Sequence, residues 1–289
     1  MTTTIYQFSV SFKEYLFLSG EGHKELSELP NNTRVLHCGD NDLSSLPPLP
    51  NTLIELHCMR NQLTALPPLP EGLKELRCGQ NPLGVLPTLP KSLLRLYCED
   101  AKLTSLPSLP PNLIQLVCGG NNLTTLPPLP KSLQILSCAR NQLSSLPMLP
   151  SNLLSLSISE NRFQRLPQNL PEYLESLQCA YNKLVSLPQI IPSSLEYLDC
   201  AHNQLHTLPE TLPNNVWSLD CNGNPHLPKR KYKQSPAKYM ERVKFVEQCQ
   251  SKARIRMRCR AIREELMMVV WHPKRVERLM LDWVDMEDM

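Results

Sequence analysis

Glycine is scarce, with 9 in 289 residues. Phosphate loops need glycine where backbone N–H groups close on a ligand. No G-x-x-x-x-G-K-[ST], G-x-S-x-G or H-E-x-x-H occurs, so nucleotide, acyl-transfer and zinc-protease chemistry have no motif to rest on. No apolar run approaches the roughly 18 residues a bilayer span needs, so the chain is expected to be soluble. The start, Met1-Thr-Thr-Thr-Ile-Tyr-Gln-Phe, has no charged segment followed by an apolar block, and is not expected to act as a secretory signal. The formal net charge is only +3. What is abundant is proline, at 28, and cysteine, at 11, and both are ordered in the chain.

That order is a repeat. Leu53-Ile-Glu-Leu-His-Cys-Met-Arg-Asn61-Gln-Leu-Thr-Ala-Leu66-Pro-Pro-Leu-Pro70 recurs every 20 residues from Leu73, Leu93, Leu113 and Leu133. The rule is L-x-x-L-x-C-x-x-N-x-L-x-x-L-P-x-L-P. Asparagine falls at 41, 61, 81, 121, 141, 161, 182, 203 and 224, the later spacing stretching to 21; only Ala101 breaks the column. A fixed period in the 20s with this pattern is the leucine-rich repeat signature. Leu53-x-x-Leu56-x-Cys58 alternates inward and outward like a short strand. Asn61 sits where the chain bends inward, and its amide can bond backbone groups of its own and the neighbouring turn. Proline forbids a helix on the return and favours extended or polyproline geometry. The expected fold is a leucine-rich repeat solenoid: a parallel β-sheet on the concave face, an extended convex side, and about ten 20–21-residue repeats. At about 4.8 Å per strand the sheet is about 45 Å across.

Residues 33–228 carry the clear repeats. Residues 1–32 read as an N-terminal cap with a degenerate first turn: Leu16 and Leu18 lie 20 before Leu36 and Cys38, while Glu21 replaces the asparagine. Nine cysteines (38, 58, 78, 98, 118, 138, 179, 200 and 221) share one inward position, filled in the seventh turn by Ile158. The site therefore asks for a small apolar filler. Stacked neighbours would hold Cβ atoms roughly 4.8 Å apart, beyond disulfide reach, and so many thiols fit a reducing compartment.

The outward columns describe the partner. One reads His37, His57, Arg77, Tyr97, Val117, Ser137, Ser157, Gln178, Asp199, Asp220; the other includes Glu55, Glu75, Arg95, Gln115 and Ile135. A basic and aromatic N-terminal half grades into hydroxyls and then acid. Solenoids bind along such faces, with Tyr and Arg as favoured anchors. The expected partner-binding residues are therefore His37, Glu55, His57, Glu75, Arg77, Arg95, Tyr97, Gln115, Val117 and Ile135. His37 and His57 stack as neighbours, but a metal site wants three or four ligands and the following Arg77 repels a cation. No metal, cofactor or catalytic residue is expected; Cys98-Glu-Asp100 resembles a catalytic tripeptide, yet Cys98 belongs to the core column.

After Pro228 the composition changes. Residues 229–289 carry 16 Lys and Arg against 9 Asp and Glu. Ser235-Pro236 is a good helix start, and Tyr239, Val243, Val246 and Cys249 keep helical spacing, as do Ile255, Cys259, Ile262, Leu266 and Val269. The segment is expected to be a small basic helical C-terminal cap. Lys229, Arg230, Lys231, Lys233, Arg254, Arg256, Arg258 and Arg260 offer a basic surface for nucleic acid or an acidic partner.

The LPxLP return with L-x-x-L-x-C-x-x-N, over about residues 33–228, resembles the short bacterial subtype of leucine-rich repeat found in effectors translocated into host cells by enteric pathogens. Some members of that family append a cysteine-dependent ubiquitin-ligase domain; others are repeats alone and scaffold host kinases. The roughly 60 residues after Pro228 imply the second kind. Residues 1–32 are not expected to form the helical N-terminal secretion domain of that family. The tail Ile262-Arg-Glu-Glu-Leu-Met-Met-Val-Val-Trp-His-Pro-Lys-Arg-Val276, with Asp285-Met-Glu-Asp-Met289, is similar to C-terminal segments of giant DNA-virus repeat proteins, which favours a viral source. The reading is a non-enzymatic protein–protein interaction module in a host cytosol or a virion, without a membrane anchor. Its rivals are a nucleic-acid-associated or virion structural protein using the basic tail, and a bacterial effector scaffold without a ligase.

Overall fold

A computed structural model of the chain describes residues 14–228 and 235–244. Each consensus Leu-x-x-Leu segment forms a three-residue strand: β1 (Tyr15–Phe17), β2 (Val35–His37), β3 (Glu55–His57), β4 (Glu75–Arg77), β5 (Arg95–Tyr97), β6 (Gln115–Val117), β7 (Ile135–Ser137), β8 (Ser155–Ser157), β9 (Ser176–Gln178), β10 (Tyr197–Asp199) and β11 (Ser218–Asp220). They pair in chain order into one parallel sheet. The central leucines align from Leu16 opposite Leu36 to Leu198 opposite Leu219. The fold is a leucine-rich repeat solenoid. It has eleven strands because the degenerate turn keeps register despite losing its asparagine. The 21-residue turns place their extra residue in the return, as in Leu166-Pro-Gln-Asn-Leu-Pro171, so Ser157 still faces Gln178.

From the second turn on, the inward leucines and cysteines are buried in one continuous core, with Leu56, Cys58 and Leu63 fully inaccessible; Leu16 and Leu18 of the first turn are half-buried. The return carries no helix among the described residues. It closes with a tight turn in which the next leucine N–H donates to the last proline carbonyl, as Leu53 does to Pro50 at 3.0 Å. Hydroxyls join neighbouring turns at that corner: Thr52 donates to the carbonyls of Asn31 and Thr33, and Ser92 to those of Glu71 and Leu73.

The asparagine column satisfies the buried bend. Asn61 Nδ2 donates to the carbonyls of Cys38, 2.9 Å away in the preceding turn, and Cys58, at 3.1 Å in its own; its Oδ1 accepts from Leu43 N–H. Each asparagine is a rivet between two turns, relieving backbone groups that are costly to bury unpaired. Where Ala101 interrupts the column, the previous turn has changed to suit. Leu83 N–H turns to the Asn81 carbonyl, and Gly84, at φ +72°, donates to the Ala101 carbonyl. The two irregularities are one local solution. Glycine suits position 84 because it adopts the left-handed region without the cost a side chain would carry.

The residue at the bend just before the asparagine position is left-handed, with φ near 50–55° at Asp40, Arg60, Gln80, Arg140, Glu160, Tyr181 and His202, and likewise at Asp100 before Ala101; before Asn121 and Asn224 it is glycine. The cost of that conformation is offset by the ladder it permits: Asp40, Arg60 and Asp100 N–H groups donate to the next turn's carbonyls at 2.9–3.0 Å.

The chain divides into two compact units, Met1–Pro236 and Ala237–Met289. The structure describes one helix over residues 236–244, nearly all of it in the second unit. It begins at Pro236, where a missing N–H costs nothing, and buries Tyr239, Met240 and Val243 at helical spacing. Among the described residues no helix is long and apolar enough to cross a membrane.

Candidate functional site

Parallel register converts a sequence column into a physical row. On the outward, concave-side face of the sheet, His37 lies opposite His57, His57 opposite Arg77, Arg77 opposite Tyr97, and Tyr97 opposite Val117. The His37 and His57 rings stack at 4.0 Å with planes 13° apart. Phe17 meets His37 edge-on at 4.9 Å. The Arg77 guanidinium lies 4.4 Å from the Tyr97 ring centre, a cation–π contact of about 0.5–1 kcal/mol.

Glu75 binds this row to its neighbour. Its Oε1 accepts from Arg77 Nε at 2.6 Å and lies 3.1 Å from His57 Nε2, while Oε2 accepts from Arg95 Nε at 2.5 Å. The carboxylate, expected at the surface, is only 6% exposed because these three side chains close over it. Burial pushes the Glu75 carboxyl up, but the hydrogen bonds and charges of Arg77 and Arg95 outweigh it and leave the group below its ordinary value. Burial lowers both imidazoles; for His57 the neighbouring His37 and Arg77 add to the effect. The N-terminal half of the face is thus ordered before any partner arrives.

The remaining positions continue the same face. Arg95, Gln115 and Ile135 stand opposite one another in succession, with Glu55 opposite Glu75. Towards the C-terminal end the face becomes acidic: burial and the nearby Asp220 raise Asp199, and Tyr197 meets Trp217 edge-on at 6.0 Å.

The cysteine column is part of the core. All nine members are buried. Burial pushes Cys38, Cys78 and Cys138 up to about 12 and Cys98 well above its ordinary value, which removes the thiolate a nucleophile needs. The basic residues Lys229, Arg230, Lys231, Lys233, Arg254, Arg256, Arg258 and Arg260 lie outside the described residues, as does the tail from Ile262 to Met289.

Two features escaped the column reading. Phe17, 63% exposed, extends the row by one strand; its signal was its place 20 residues before His37. A second ladder runs along the left-handed bend, where Arg60 bonds Asp40 at 3.1 Å and Gln80 at 2.6 Å. Farther on, Arg140 reaches across Gly120 to Asp100 at 3.2 Å. A Cβ on Gly120 would lie 2.0 Å from the Asp100 carboxylate, so glycine there opens the passage.

Sheet, asparagine rivets and cysteine column define the leucine-rich repeat fold. The Leucine Rich Repeat family profile matches residues 194–219. Among solved structures, YopM of Yersinia enterocolitica is similar at 35% identity and TM-score 0.64, over 72% of this chain and 50% of that one. YopM of Yersinia pestis, described as a leucine-rich effector protein, is similar at 28% identity and TM-score 0.58, over 73% and 78%. The functional domain of InlJ from Listeria monocytogenes, which includes a cysteine ladder, matches at 25% identity and TM-score 0.62, over 70% and 46%. The chain thus spans half the length of the first of these. No curated protein matches it significantly.

Proposed function

We propose that this protein works by binding, not catalysis, and holds another protein on the concave face between β2 and β7. The observation that carries this reading is the pre-ordered row His37–His57–Arg77–Tyr97, keyed by the buried Glu75. Holding rotamer-rich arginines in place before contact removes part of the ordering cost of association, and Tyr and Arg are the residue types that dominate protein interfaces. The similarity to bacterial effectors supports a scaffold that acts on a host protein within the cytosol. The similar proteins reported above are bacterial and lend no support to the viral source that the tail resemblance suggested.

The test is affinity capture from host-cell lysate with the full chain, a Tyr97→Ala/Ile135→Ala variant, and Met148→Ala as control. Met148 is 91% exposed and stands on the return, away from the sheet. A protein retained by wild type and Met148→Ala but lost from the double variant supports the reading. Identical capture by all three overturns it.

A further inference from the structure

His37 and His57 stand side by side on the sheet, with Arg77 next in the row. Glu55 stands beside the pair, and one nitrogen of each imidazole and one carboxylate oxygen of Glu55 lie within 4.8 Å of one another. Among the described residues this is the one such cluster. His37 Nε2 is buried and has no hydrogen-bond partner, an unusual state for a polar atom with a lone pair or a proton to place. His57 Nε2 lies 3.1 Å from Glu75, the carboxylate–histidine pairing that orients a ligating imidazole and leaves Nδ1 for a metal. Arg77 is drawn away by its bond to Glu75 and by its seat over Tyr97, so its charge is partly met.

We infer that His37, Glu55 and His57 form a three-ligand site for a divalent transition-metal cation of the zinc type. Two imidazoles and one carboxylate are a zinc-type donor set, whereas calcium and magnesium call for oxygen ligands throughout. Three protein ligands leave a fourth position open to the groove. The rings as they stand are parallel, so loading requires one imidazole to turn about χ2, a broad torsion for histidine. The inference concerns the metal alone and does not depend on whether a protein docks on the same face.

The experiment titrates the full, metal-stripped chain with Zn2+ against a chromophoric chelator, and with Co2+ for its spectrum. The expected result is one equivalent bound. Affinity should fall at least about tenfold in Glu55→Gln and further in His37→Gln and His57→Gln, on the scale of losses seen when a metal's surroundings are altered. Circular dichroism checks that each variant keeps the wild-type fold. The control is His206→Gln: His206 and His226 also stack, at 4.1 Å, but belong to no such cluster, and the change should leave affinity alone. Absence of stoichiometric binding, equal binding by His37→Gln/His57→Gln, an equal loss in His206→Gln, or a near-ultraviolet sulfur-to-cobalt charge-transfer band would each overturn the site.

Discussion

Replacing Asn121 with alanine should be the most damaging change in the asparagine column, and the structure says by how much. Its Oδ1 accepts from both Ala101 N–H at 3.0 Å and Leu103 N–H at 2.9 Å, and its Nδ2 donates to the Cys98 carbonyl at 2.9 Å. The carbonyls of Cys38, Cys58, Cys118, Cys138, Cys179 and Cys200 each receive two asparagines, whereas Cys78 receives only Asn81. The Cys118 carbonyl also receives Asn141 and would survive the change. The Cys98 carbonyl has only Asn121, because its own turn carries Ala101. Asn121→Ala therefore orphans three buried backbone groups, and at about 1–2 kcal/mol each it should cost about 3–6 kcal/mol. Asn141→Ala orphans Leu123 N–H alone and should cost about 1–2 kcal/mol. Ala101→Asn should gain less than about 1 kcal/mol, since Leu83 N–H already has the Asn81 carbonyl. Urea unfolding followed by circular dichroism measures all three. Equal losses at 121 and 141, or a large gain at 101, would refute the rivet account.

Other expectations follow from the same structure. Leu116→Ala, at a fully buried position in mid-stack, should cost about 2–5 kcal/mol and broaden or split the unfolding transition, because each turn touches only its neighbours; an unchanged sharp transition counts against the register. In the native protein Cys98 and Cys118 should resist a bulky thiol reagent, read by mass spectrometry, and prompt labelling of either would show the column open. His37 and His57 titrate below their ordinary 6.5, so the unfolded chain takes up protons first. Their contribution to stability is full above about pH 6.5 and is lost as pH falls through the folded values. The urea midpoint should drop from pH 7.5 to 5.5, and drop less in His37→Gln/His57→Gln. An equal drop in both proteins would show that the pair is not the cause.

Repeat period, strand position, inward cysteines and the asparagine bend were all legible, because a solenoid writes each spatial row as a fixed sequence spacing. Phe17 was hidden by a turn that lost its asparagine but kept its leucine. The pairing of Ala101 with Gly84 was invisible because it is a hydrogen-bond exchange between turns, which no single turn displays. Glu75 was read as an outward residue, and so it is by register. Its burial comes from Arg77 on its own strand and from Arg95 and His57 one strand away on either side, a property of side-chain reach and not of alternation. The same reach makes Arg77→Glu a poor probe of binding, since it would set a second carboxylate beside a buried one.

The concave face is tested most directly by a salt titration of binding. The titration compares wild type, Tyr97→Ala/Ile135→Ala, and a charge reversal at Arg254, Arg256, Arg258 and Arg260, each against the captured protein and against RNA and DNA. The account predicts that the concave change abolishes protein binding while the reversal leaves it nearly intact. Tight nucleic-acid binding that weakens steeply with salt through counterion release, vanishes on charge reversal and ignores the Tyr97/Ile135 change would contradict it.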